Sequence, residues 1–168
     1  MEYSKSNRIT VILLLIIFCI GFLMSCNVSE VYGVSKKIKS SQTKLIKKAK
    51  TKLGCKYVYG ASGSRSFDCS GFVYWVYKNA KIPVKKKIIR TSCHSMYYNL
   101  KKYKVSNKLH KARKGDIILY KNGSRYTHTA ISLGNNKMIH ASSGRGRVCI
   151  VPSRYVTHSS VAIIRVLK

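Results

Sequence analysis

Hydrophobic positions change their spacing several times along the chain, and each change marks an element. Val11 to Leu23 is an uninterrupted apolar stretch of thirteen residues, preceded by Lys5 and Arg8. Residues 26–40 are polar and mixed, and read as a linker. Over residues 41–53, Leu45, Ile46, Ala49 and Leu53 fall on one side with lysines opposite, which predicts an amphipathic helix with Gly54 as its terminating cap. Tyr57-Val58-Tyr59-Gly60 reads as a short extended segment, and Ala61 to Ser66 as a loop of small residues. Cys69, Phe72, Val73, Val76, Tyr77 and Ala80 then repeat at i, i+3, i+4, i+7, the spacing of one helix face. Ser66 and Asp68 are N-cap residue types just ahead of that helix, and Pro83 prevents its continuation. Residues 84–112 are lysine-rich with weak periodicity, apart from a helix around Ser95 to Tyr103.

From Lys114 the period becomes two. Gly115-Asp116 is a turn before Ile117-Ile118-Leu119-Tyr120, and Asn122-Gly123 is a second turn. From His128 to Leu133, Thr129, Ile131 and Leu133 alternate with His128, Ala130 and Ser132. Gly134-Asn135-Asn136 turns the chain back into Lys137 to Ala141. Val148 to Val151 and Val161 to Val166 are further strands. Helices first and antiparallel strands afterwards predict an α+β fold, with helices packed on a central antiparallel sheet.

The apolar run at the start is too short for a full membrane span and fits the core of an export signal. Residues 1–25 are therefore expected to be a leader, 26–40 a linker and 41–168 the functional domain. Leu23-Met24-Ser25-Cys26 resembles a bacterial lipobox, in which Cys26 would carry the lipid; Met24 is atypical there. Cleavage after Gly33 and an uncleaved anchor are the alternatives. All three place the remainder outside the membrane, in the wall or on the membrane's outer face.

Charge adds a second expectation. Lys and Arg number 33 against 4 Asp and Glu, a net charge of +29. Such a chain is drawn to anionic wall polymers or anionic membrane surfaces. A solvated lysine-rich surface is the simpler alternative. No nucleic-acid-binding motif accompanies the lysines. Six cysteines are present, with no Cys-x-x-Cys pair and no zinc-type Cys/His spacing, so neither a metal nor a cofactor is expected. Cys55, Cys93 and Cys149 read as packing residues, with a disulfide among them left open for an exported chain.

Cys69 falls in the first turn of its helix, where unpaired N–H groups and the positive end of the dipole favour a thiolate. The same N–H groups suit an oxyanion. A small buried hydrophobe is the competing reading of Cys69. A nucleophilic thiol needs a base, and His128 opens a strand whose hairpin neighbour carries His140. The pairing suggests that Cys69 attacks an amide carbonyl, His128 moves the proton and His140 orients His128. His94, His110 and His158 read as surface histidines. One difficulty stands: a plain two-residue turn at Asn135-Asn136 would pair Ile131 with His140 and put the two histidines on opposite faces. The triad requires a bulge.

Asp68-Cys69-Ser70-Gly71-Phe72, Lys114-Gly115-Asp116-Ile117, His128-Thr129-Ala130-Ile131 and Met138-Ile139-His140-Ala141 together resemble the NlpC-type cysteine peptidases over residues 41–168. The resemblance implies a papain-like α+β fold acting on peptidoglycan stem peptides, usually at the bond between γ-D-glutamate and diaminopimelate or lysine. It implies Cys69 as nucleophile, His128 as base and His140 as the orienting residue. Tyr57 matches a tyrosine that helps hold the oxyanion. Asp68 and Ser70 match positions that receive the free amino end of the stem, and Arg90-Thr91-Ser92 resembles a groove-lining segment. Lys56 departs from a proline common in the family. A cationic wall-binding protein on the same scaffold, and a thiol amidase or acyltransferase on another substrate, are the competing functions.

Overall fold

A computed structural model describes residues 33–168. The expected leader over residues 1–25, and Cys26, lie outside the described residues. Residues 39–168 form one compact unit, and the elements below belong to it. Residues 33–50 are helical, and the part from residue 39 is α1 here. Helix thus replaces part of the expected linker, and ends three residues before Leu53. Leu45 and Ala49 are fully buried, as their spacing requires.

β1 (Lys56–Tyr57) and β2 (Ser66–Phe67) are two-residue strands paired in parallel. α2 spans Cys69–Ala80 and ends on Lys81 in the left-handed conformation, φ 47°. α3 spans Cys93–Leu100, capped by the Ser92 side chain, which accepts from Ser95 N–H. The short strand β3 (Lys104–Ser106) follows, then four longer ones: β4 (Ile117–Asn122), β5 (Arg125–Gly134), β6 (Lys137–Ser142) and β7 (Arg147–Pro152). β8 (Ser160–Ile164) completes the set.

The strands form one sheet of order β2-β1-β7-β6-β5-β4-β8-β3. Among the described residues only the β1–β2 pair is parallel, so the expected antiparallel sheet acquires a mixed edge. Alternation along the strands sorts the side chains. Ile117, Leu119, Ile131, Ile139, Ala162 and Ile164 pack in one cluster with the helices. Ile118, Tyr120, Ala130, Met138, Val161 and Ile163 form a second cluster. Asp116 of the turn before β4 is buried and takes two hydrogen bonds from Arg165, Nε at 3.0 Å and Nη2 at 2.7 Å. That pair ties the turn to the end of the chain.

Candidate active site

Cys69 is the first residue of α2, and Asp68 is its N-cap. Asp68 Oδ1 accepts from Gly71 N–H and from Ser70 Oγ (3.0 Å). Oδ2 accepts from Gly60 N–H (3.1 Å) and from Arg90 Nη2 (2.6 Å). Arg90 also donates to Ser70 Oγ at 2.8 Å. Gly71 explains how the preceding loop comes so near. A Cβ there would lie 2.1 Å from the Ala61 carbonyl oxygen, which itself accepts from Asp68 N–H. Only glycine allows that approach.

The histidine pair depends on the bulge that the sequence demanded. Ile131 pairs with Ile139 and Ser132 with Met138, but Gly134 pairs with Lys137, so the register shifts between Ser132 and Gly134. Leu133 is the extra residue. Gly134 (φ 77°), Asn135 (φ 49°) and Asn136 (φ 55°) make the turn, and Gly134 N–H donates to Ser132 Oγ at 3.1 Å. The shift places Ala130 opposite His140, so His128 and His140 share a face. Their rings stand nearly perpendicular (87°), with His128 Nε2 and His140 Nδ1 2.7 Å apart.

Electrostatics follow from these contacts. A hydrogen bond from Cys93 pulls the Cys69 thiol down to about 5, with help from the His128 ring and against the opposing effect of burial. Burial pushes His140 down to about 3, with smaller contributions from His128 and Arg145, so its imidazole is neutral. Tyr57 is raised, chiefly by burial and then by Cys69, and remains a protonated donor. Tyr57, Asp68, Cys69, Ser70, Arg90, Cys93 and His94 line one open groove of about 380 Å³, together with Arg125 and Tyr126.

The NlpC/P60 family model matches residues 54–165, a stretch that contains Cys69, His128 and His140. The chain belongs to the NlpC/P60 family. "Probable endopeptidase p60" of Listeria innocua is 34% identical over 97 residues, which are 58% of this chain and 19% of that protein. "Probable peptidoglycan endopeptidase LytE" of Bacillus subtilis is 29% identical over 116 residues, 67% of this chain and 31% of that protein. The chain therefore spans a third or less of the length of these relatives. NlpC1 from Trichomonas vaginalis superposes with a TM-score of 0.62 at 25% identity, over 75% of this chain and 44% of that one. The NlpC/p60 domain of the peptidoglycan hydrolase SagA shares the fold, with a TM-score of 0.59 at 23% identity over 72% of this chain and 97% of that one. The papain-like α+β architecture expected from the motifs is the one observed.

In this NlpC/P60 domain, Cys69, His128 and His140 come together, and Tyr57, Asp68 and Ser70 stand around them. Three further groove residues escaped the sequence reading. Arg90 was a member of a groove-lining segment without a role; it is the ion-pair partner of Asp68. His94 is half-buried in the groove rather than on the surface, and its Nδ1 accepts from Tyr126 N–H at 3.4 Å. His110 is exposed as expected, while His158 packs edge-on against the Tyr120 ring. Cys93 is more than a packing residue, because its Sγ lies 3.4 Å from that of Cys69. The helix expected around Ser95 to Tyr103 is α3 over Cys93–Leu100, and nothing in the local pattern said that its start would meet the start of α2.

Proposed function

We propose that this chain is an exported peptidoglycan endopeptidase that cleaves stem peptides at the γ-D-glutamyl–diamino acid bond through a Cys69 thioester. The observation that carries the reading is the line formed by a depressed thiol at a helix start, His128 beside it, and His140 2.7 Å behind His128. Cys69 Sγ attacks the amide carbonyl, and the carbonyl electron pair moves onto oxygen. First-turn N–H groups and the Tyr57 hydroxyl receive that oxyanion. His128 protonates the leaving amine, and the C–N bond breaks. Water, deprotonated by His128, then attacks the thioester and releases Cys69. A free amino end of the stem docks at Asp68 and Ser70, where its ammonium shares Asp68 Oδ2 with Arg90.

Export is supported by Lys5, Arg8 and the apolar run from Val11 to Leu23, with Cys26 as the lipid-bearing residue. The product then works in the wall or on the outer face of the membrane.

Digestion of purified peptidoglycan by the full chain and by Cys69→Ala, read by mass spectrometry, tests the reading. New amino ends on the diamino acid, absent with Cys69→Ala, are expected. Wall binding without cleavage by either protein would favour the cationic binding function instead. Cleavage by both would remove Cys69 from the chemistry. Cleavage at a different bond would favour the amidase or acyltransferase function.

A further inference from the structure

The peptidase chemistry uses one sulfur of the groove, and the structure holds two. Cys69 and Cys93 are each the first residue of a helix, α2 and α3, and the two helix starts face each other. Their Sγ atoms are 3.4 Å apart, and both residues are buried, at 8% and 6% exposure. A disulfide requires a separation of about 2.0 Å, so the gap to be closed is roughly 1.4 Å. Cys55 and Cys149, by contrast, are half-buried and belong to different packing clusters. Both groove cysteines line the open cleft, which gives a small oxidant a path to them.

We propose that Cys69 and Cys93 form a redox modification site, in which an oxidant of the peroxide class closes a reversible Cys69–Cys93 disulfide. The Cys69 thiolate attacks one oxygen of hydrogen peroxide. The S–O bond forms, the O–O bond breaks, and the departing hydroxide takes up a proton as water. Cys69 is then a sulfenic acid. Cys93 sulfur attacks the Cys69 sulfur, the S–S bond forms, and the S–O oxygen leaves with the Cys93 proton as a second water. Two thiols have lost two electrons to one peroxide. Cys93 is held as a thiol by its hydrogen bond to Cys69 and by burial. Once the Cys69 charge is gone, the part of that restraint owed to Cys69 is lifted and Cys93 becomes the resolving thiol. The linkage removes the nucleophile and shields Cys69 from irreversible oxidation. Loss of hydrolysis on linkage rests on Cys69 being the nucleophile; the linkage itself does not.

The full chain, reduced and then titrated with hydrogen peroxide, would be blocked with an alkylating reagent, digested and mapped by mass spectrometry. Hydrolysis would be followed in parallel. A Cys69–Cys93 peptide pair is expected, with hydrolysis lost in proportion to the linked fraction and restored by dithiothreitol. In Cys93→Ser, peroxide should carry Cys69 to the sulfinic acid, with no recovery on reduction. Mapping the unsubstituted chain needs no variant to fold. The proposal falls if peroxide drives Cys69 to sulfinic acid without a Cys93 link in the unsubstituted chain. A link that forms while hydrolysis is unchanged would uphold the redox site and remove Cys69 as the nucleophile. A reversible link in a protein that hydrolyses nothing when reduced would uphold the redox site and overturn the peptidase reading.

Discussion

His140 shows how one burial decides a proton's place. Its imidazole is neutral at any working pH, because burial takes its pKa down to about 3. A neutral imidazole has one N–H and one acceptor nitrogen. When His128 is the cation opposite a Cys69 thiolate, its Nε2–H must donate to His140 Nδ1. The His140 proton therefore sits on Nε2, which is buried and has no hydrogen-bond partner among the described residues. Such an unpaired donor costs about 1–3 kcal/mol. Replacing His140 by Ala removes the acceptor and should lower kcat/KM by roughly 100-fold or more. His140→Asn keeps an acceptor oxygen and should lose less, and steady-state kinetics on a defined stem peptide checks the order. The Cys69 thiol gives a second expectation. Thiolate is the major form above about pH 5 and is lost as pH falls through that value. The acid limb of kcat/KM should therefore lie near pH 5, and thiolate absorbance should titrate with it. An unperturbed thiol would place both near about pH 8.5. Cys69, His128 and His140 were legible in the sequence because local patterns flagged them. Arg90, Cys93 and His94 were not, because their roles arise from contacts that no periodicity encodes: Cys93 meets Cys69 across 24 positions, and Arg90 meets Asp68 across 22.

At the scale of elements, the β5–β6 hairpin is the part on which the proposed mechanism turns. Leu133 as an extra residue decides which face His140 occupies, and Gly134 with φ 77° makes the extra residue possible. Alanine at position 134 meets no clash, since the nearest atom to an added Cβ is 3.7 Å away. It does meet the backbone penalty for a left-handed L-residue, about 1–2 kcal/mol. Gly134→Ala should therefore lower the urea midpoint by a corresponding amount and depress kcat more than KM, as His140 shifts behind His128. Equal activity with reduced stability would mean that the bulge survives without glycine. The long strands and α2 were readable from their alternation and their cap. β2 and β3 were not, because strands of two and three residues carry too little period to register. The early start of the first helix was missed for a related reason: its N-terminal turns offer only Val34 and Ile38 as apolar residues, and Val34 is exposed.

For the whole molecule the dominant quantity is a net charge of +29. The charges that face water are screened within about 10 Å at 0.1 M salt. Attraction to anionic wall polymers should therefore weaken as salt is raised, while cleavage of a short soluble stem peptide, governed by the groove, should change far less. Pelleting with purified walls across a salt series, beside a peptide assay, separates the two; salt-insensitive pelleting would remove bulk charge as the source of wall affinity. Layer order was legible only in outline. The sequence suggested helices on an antiparallel sheet, but the neighbours of each strand depend on pairings between distant segments.

One of those pairings sets a schedule. β4 lies between β5 and β8, so one of its edges is completed by residues 160–164, far downstream in the sequence. A ribosome delivers Cys69 long before it delivers His128, His140 and β8. The half-made protein thus carries Cys69, the proposed nucleophile, without the two histidines of the site. On the proposed mechanism the thiol is made first and armed later, and a chain cut before His128 should cleave nothing.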